Sequence, residues 1–226
     1  MPATATLVLE TSTPHASLAM VGPDGSLVER QFASDRSHQA CVFGPLADLL
    51  VSHVAVSIGR VLVGSGPGSY SGTRVGIAAA QGVAIASECP ALALPSILAV
   101  PAADGGAACL VIGDARRGSF WSARIAAYQM VADPVLTDAA GLLAAVASAV
   151  TQGMTVLSFE APSRFQLPAG LTAQVKQEFP SAARLWRAWC MAGEEMRVGW
   201  ALAAPQPIYL KPPHITPARR PWLVSA

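Results

Sequence analysis

The chain has 226 residues, enough for one large domain or two small ones. It is 52% hydrophobic and 13% charged, which excludes a disordered chain and predicts a sizeable packed core. The formal net charge is +1, so no broad electrostatic footprint for nucleic acid is expected.

The first lysine or arginine is Arg30, and Glu10 interrupts the early apolar run. A secretory leader is therefore not expected, and a cytoplasmic location is. Leu7-Val8-Leu9, Ala16 to Val21 and Leu27 to Phe32 predict a three-stranded meander, with Gly22-Pro23-Asp24-Gly25 as a turn signal. Ser37 to about His53 predicts a helix capped by Ser37, because Val42, Phe43, Leu46, Leu49 and Leu50 fall at helical spacing. Pro45 lies inside it and predicts a kink. Val61-Leu62-Val63 predicts a buried strand, followed by a glycine-rich loop from Gly64 to Gly72. A second helix is expected from about Thr73 to Ser87. Gly72, Gly76, Ala80 and Ala84 form a ridge of small side chains along it, suited to close approach by another helix. The most hydrophobic stretch, Val75 to Ala103, is broken by Gln81, Glu88, Pro90, Pro95 and Pro101. Its pieces are shorter than the roughly 20 residues of a membrane span.

A second unit starts near Ala108. Leu110 to Asp114 predicts a strand ending in an acid, Ala115 to Gly118 a polar turn, and Ser119 to Ile125 a returning strand. Ser17 lies seven residues after Glu10, and Trp121 lies seven after Asp114, a spacing that implies a duplicated fold. Helices are expected at Ala139 to Val150 and Ser181 to Ala192, the latter capped by Pro180-Ser181, with a strand at Met154 to Phe159. The proline-rich tail surrounds a strand-like Ile208-Tyr209-Leu210.

The glycine loop matches no complete catalytic motif. A Walker A loop counted from Gly66 needs glycine at position 71, which is Ser71, and no lysine lies nearby. The dinucleotide fingerprint and the GxSxG elbow fail as well. The loop still joins a buried strand to a helix amino terminus, a geometry that binds anions in general. A tight packing turn and a phosphate contact in an assembled state both remain open. His15, His38, His53 and His214 form no zinc-protease pair, so no metal site is expected. Cys41, Cys89, Cys109 and Cys190 show no CxxC spacing and read as buried thiols. Glu10 and Asp114 end strands, either to position magnesium and water or to hold turn amides. The acids are few and dispersed, which favours the second. Arg116-Arg117 reads as a solvated step, and Trp186, Trp189 and Trp200 as core or interface aromatics.

Leu7 to Thr13 followed by Ala16 to Ala19 resembles the opening of the bacterial TsaB family, also called YeaZ. Gly66 to Ile77 is similar to its signature loop and helix, and Ser37-His38-Gln39 with the internal proline to its first interface helix. Asp114-Ala115-Arg116, Phe120-Trp121, Pro180-Ser181-Ala182 and Pro207 to Lys211 resemble later landmarks. The resemblance implies an α/β, actin-like or Hsp70-like ATPase (ASKHA) fold with two ribonuclease-H-like halves. These would span 1–106 and 107–204, with a proline-rich segment at 205–226.

The resemblance also implies a non-catalytic subunit in the making of threonylcarbamoyladenosine, the modified base beside the anticodon. Its implied partners are a TsaD-like catalytic subunit, a TsaE-like ATPase and, through the complex, tRNA. A homodimer is implied when the partner is absent. No cofactor is implied for the chain itself, with ATP and magnesium confined to the assembled complex. Glu10, Thr11, Ser12, Gly66, Gly68 and Ser69 would form a vestigial nucleotide loop. Val42, Leu46, Leu49, Gly72, Gly76, Ala80 and Ala84 would form the partner interface, and Lys211, Arg219 and Arg220 would be the best placed for tRNA. Glu10 stands where the family usually has aspartate, Gln39 replaces an acid, and Val156 to Ala161 lacks the glycines often found there. The competing readings are an autonomous ATPase or phosphotransferase of the same fold and a peptidase-like relative.

Overall fold

The computed structural model describes residues 4–33 and 38–211. Five strands form the first sheet: β1 (Ala5–Glu10), β2 (His15–Val21), β3 (Leu27–Ala33), β4 (Ile58–Gly64) and β5 (Ala91–Leu94), in the order β3-β2-β1-β4-β5. β1, β4 and β5 run parallel, while β2 and β3 return antiparallel. The second sheet uses β6 (Cys109–Asp114), β7 (Phe120–Ala126), β8 (Gln129–Met130), β10 (Thr155–Ser158) and β11 (Val175–Gln177), in the order β11-β10-β6-β7-β8. A short β9 (Val135–Thr137) also pairs with β7. Read from the opposite edge, the two orders coincide, so the fold is duplicated. The equivalent turns differ by one residue: Glu10 pairs with Ser17, but Asp114 pairs with Phe120 and not Trp121.

Alternation along the strands sorts the core into layers, because successive side chains point to opposite faces. Leu7, Leu9, Leu18, Met20, Val61 and Val63 face the helices α1 (His38–Ser52) and α2 (Tyr70–Ala86). Val8, Ala19, Val21, Leu62 and Leu92 face the other way, onto α5 (Ala182–Met191) through Ala182, Leu185 and Trp189. In the second sheet, Leu110, Ile112 and Val156 pack on Leu142, Val146 and Ala149 of α3 (Ala139–Thr151). Its opposite face meets two 3-10 turns, Ser96–Ala99 and Pro101–Gly106.

The division at 107 expected from the sequence is crossed by α5. This helix follows the second sheet in the chain, yet its apolar stripe covers the first. Its amino terminus is tied there too: the Ala182 amide donates to Ser17 Oγ at 2.7 Å and the Ala183 amide to Glu29 Oε1 at 3.0 Å. Ser181 caps the helix as expected, accepting from the Arg184 amide. Two short helices, α4 (Ala169–Thr172) and α6 (Glu194–Leu202), complete the set.

Several expectations are corrected. α2 begins at Tyr70, three residues before Thr73, because the Ser69 hydroxyl accepts the Gly72 amide and caps it there. Ile208 to Leu210 forms no strand: the Ile208 amide donates to the Ser65 carbonyl at 2.8 Å, as a single tie rather than a ladder. Of the four cysteines only Cys109 is buried, and Cys190 is exposed. The expected Ser37 cap lies outside the described residues. α1 continues through Pro45. Among the described residues no helix is long and apolar enough to cross a membrane.

Candidate functional site: the strand-end corner and the paired helices

β1 and β4 end side by side, and their exits bring together Glu10, Thr11, Ser12, Gly66, Gly68 and Ser69. The carboxyl ends of parallel strands are where open α/β sheets place ligands. Here the corner is closed on itself. Glu10 is fully buried, and its Oε1 accepts the Ser12 amide at 2.8 Å. The Ser69 amide donates to the Ser12 carbonyl at 2.6 Å, and the Gly66 amide to Ser96 Oγ at 3.0 Å. Thr11 Oγ1 donates to the Gly72 carbonyl at 2.8 Å. The amides of Ser12, Gly66 and Ser69, which an anion would need, already have acceptors within the chain.

Two buried oxygens, Glu10 Oε2 and Ser12 Oγ, have no partner. Glu10 Oε2 lies over Gly64, where an added Cβ would come within 1.9 Å of it and within 2.5 Å of Ser96 Oγ. Only glycine at 64 leaves room for this carboxyl. Burial pushes the Glu10 carboxyl above the usual glutamate range, and the hydrogen bond from the Ser12 amide opposes that shift without cancelling it. Gly66 turns the loop with φ of 84°, a value that glycine supplies freely.

Asp114, the equivalent acid of the second sheet, stands apart from this corner. Its Oδ1 accepts the Arg116 amide at 2.7 Å and its Oδ2 accepts from Arg164 Nε at 3.0 Å. Its partial burial opposes ionisation, but the Arg116 amide and the two guanidinium groups outweigh it and hold the carboxyl below the usual range. Glu160 lies close by and is pushed up, first by burial and then by the Asp114 charge; Ser158 Oγ donates to its Oε2 at 3.0 Å. Both strand-end acids therefore hold turn amides, the second of the two readings above. Among the described residues no cluster of histidine, cysteine or acid could hold a metal ion.

The seven residues expected at the partner interface are all used inside the chain. Val42, Leu46 and Leu49 are buried against the first sheet, as are Ala80 and Ala84. The small-residue ridge meets the end of β1 and not another chain: a Cβ at Gly72 would come within 2.2 Å of the Thr11 carbonyl, and one at Gly76 within 2.1 Å of Thr11 Oγ1. The residues one or two positions along these helices point outward. Phe43, Ala47 and Val51 of α1 and Ala78, Gly82 and Ile85 of α2 are exposed, with Phe43 at 55% and Ile85 at 79%. The helical period marks an apolar face on each helix but does not say which of two faces meets the sheet.

Sequence reasoning missed Ser96, Glu160 and Arg164. Ser96 had a signal, as the single polar side chain within Leu94 to Val100. Glu160 and Arg164 had none, because only the fold brings them to Asp114.

Residues 34–197 match the family described as TsaD: tRNA N6-adenosine threonylcarbamoyltransferase. The chain belongs to this family. Within it the chain is similar to proteins named TsaB and YeaZ. It is 28% identical over 123 residues to the tRNA threonylcarbamoyladenosine biosynthesis protein TsaB of Escherichia coli (strain K12). That match covers 51% of this chain and 53% of the E. coli protein, so the chain spans about half the length of that relative. Two Pseudomonas aeruginosa structures share the fold. One is YeaZ, at a TM-score of 0.63 and 20% identity; the other is an uncharacterized protein with similarity to peptidase YeaZ, at 0.65 and 21%. Each covers 92% of this chain and 100% of the other. The chain thus shares the fold of these two structures, which here is a pair of α/β sheets with matching strand order.

Proposed function

We propose that the chain is a non-catalytic subunit that supports a TsaD-like catalytic subunit in threonylcarbamoyl transfer to the adenosine beside the tRNA anticodon. The observation that carries this reading is the closed strand-end corner. A catalyst of this fold needs open amides and acids facing a nucleotide, whereas here Glu10 is buried and the Ser12, Gly66 and Ser69 amides are taken. The likeness to the E. coli threonylcarbamoyladenosine biosynthesis protein and the family match support this pathway. The outward face of α1 and α2, through Phe43, Ala47, Val51, Ala78, Gly82 and Ile85, receives the TsaD-like partner, or a second copy when that partner is absent. A TsaE-like ATPase joins the pair, and ATP and magnesium act only there.

The test is twofold. The chain is expected to co-purify with the TsaD-like protein of its own cell, and Phe43→Asp or Ile85→Asp to abolish that association while leaving the melting temperature unchanged. The lone chain with ATP and magnesium is expected to show no turnover near 1 per second, an ordinary enzymatic rate. Turnover at that rate, lost in Glu10→Ala, would establish an autonomous ATPase instead. The lone chain is also expected to bind tRNA only weakly, because a +1 balance releases few counterions. Submicromolar binding at physiological salt would contradict this.

A further inference from the structure

Two exposed tyrosines border the closed corner: Tyr70 directly follows Ser69, and Ile208, next to Tyr209, is tied to Ser65. Tyr70, 61% exposed, opens α2, and Tyr209, 53% exposed, belongs to the carboxyl-terminal stretch. Their ring centroids are 6.2 Å apart. The Arg74 guanidinium lies over the Tyr70 ring, 5.0 Å from its centroid, and donates to its hydroxyl. On the other side the chain continues from Tyr209 to Lys211, whose ammonium donates to the carbonyls of Ala115 at 3.0 Å and Arg116 at 3.1 Å. That contact carries the tyrosine pair to the turn between β6 and β7. There Arg116 and Arg117 are both exposed and both hold left-handed backbone, with φ of 66° and 57°, a conformation that side chains of this size adopt rarely. Two acids lie in reach: Asp114 is engaged by the Arg116 amide, by Arg164 and, at 3.7 Å, by the exposed Arg116 guanidinium, and Glu160 is half-buried and accepts from Ser158 Oγ. The cations are therefore outermost. Three segments far apart in the chain thus meet in one stripe: Arg74, Tyr70, Tyr209, Lys211, Arg116 and Arg117.

We propose that this stripe docks an unpaired stretch of RNA, with bases stacked on the two tyrosine rings and phosphates on the flanking cations. Exposed aromatic rings between cationic groups are the general means of holding a single strand, since every base has a π-face. A duplex hides those faces in its own stack and is not a match. The low net charge does not oppose this, because the positive groups are gathered locally. The inference rests on the threonylcarbamoyl reading, in which the RNA is tRNA held by the assembled complex.

The test titrates the complex of this chain and its TsaD-like partner with tRNA at several salt concentrations. Tyr209→Ala is expected to weaken binding about tenfold, and Tyr209→Phe, which keeps the ring, to bind as the native chain does. Arg117→Glu is expected to weaken binding and to lower the salt slope by about 1 or more. A single-stranded RNA is expected to compete, and a duplex of equal length is not. Unchanged affinity and slope in both Tyr209→Ala and Arg117→Glu complexes that assemble normally would overturn the stripe alone, as would equal competition by duplex. A chain that never assembles with the TsaD-like partner overturns the functional reading, and this one with it.

Discussion

Replacing Ala80 by arginine is expected to leave no stably folded protein. Ala80 is fully buried, in the same layer as Leu7, Leu9, Leu18, Val61 and Val63. A guanidinium there has no acid to meet in that layer and no room. Overpacking a core costs about 1–3 kcal/mol, and an uncompensated buried charge costs about 3–5 kcal/mol more. Together they approach the whole stability of an ordinary domain, about 5–15 kcal/mol. Ala78 stands two positions earlier, about 200° around the helix axis, and is exposed. Ala78→Arg is expected to melt as the native chain does but to lose the TsaD-like partner, because the charge then sits in the proposed contact. Thermal melts by circular dichroism and co-purification separate the two. An Ala80→Arg chain as stable as the native one would show that the inward and outward faces of α2 have been exchanged.

That pair of variants shows where the sequence was legible. Apolar runs of three or more, such as Leu7 to Leu9 and Leu110 to Ile112, announced the central strands, since strands covered on both faces need no polar alternation. The duplication was readable from two acids that each end a strand before a polar turn, although the equal spacing fails by one residue. What escaped was everything decided across the sheet. β5, β8, β9 and β11 have two to four residues each, too few for a periodic signal. The face of α2 escaped for a different reason: small or apolar residues lie on both sides. Ordinarily the polar side marks solvent, but on the outward side Arg74 and Gln81 stand among Ala78, Gly82 and Ile85, which blur that mark. The corner was legible in membership, because Glu10 to Ser12 and Gly66 to Ser69 each flank a strand end. Its closure was not, because that depends on Ser96, thirty residues from Gly66.

The two strand-end acids occupy equivalent places in duplicated halves and are pushed in opposite directions, so their substitutions should respond oppositely to pH. The folded chain holds the Glu10 proton more tightly than the unfolded chain, whose carboxyl titrates near 4.5. Below that value both states are protonated and the residue contributes nothing to the difference. As pH rises, the unfolded state ionises first and gains, so stability falls. The fall is at most about 1.4 kcal/mol per pH unit and ends at the folded-state value. Glu10→Gln keeps an acceptor for the Ser12 amide and cannot ionise. Its advantage over the native chain is expected to be nil in acid and to grow as pH rises above the unfolded value. Asp114 runs the other way. Its folded-state value lies below the unfolded 3.8, so its contribution is full above 3.8 and is lost as pH falls through the folded value. Asp114→Asn is therefore expected to be less stable than the native chain at neutral pH and to converge on it in acid. Urea unfolding of the three proteins from about pH 3 to pH 7 reads both trends. A Glu10→Gln advantage that stays flat across that range would mean that the Glu10 carboxyl is ionised in the folded corner, and that its unpartnered oxygen is satisfied in a way that the closed geometry does not provide.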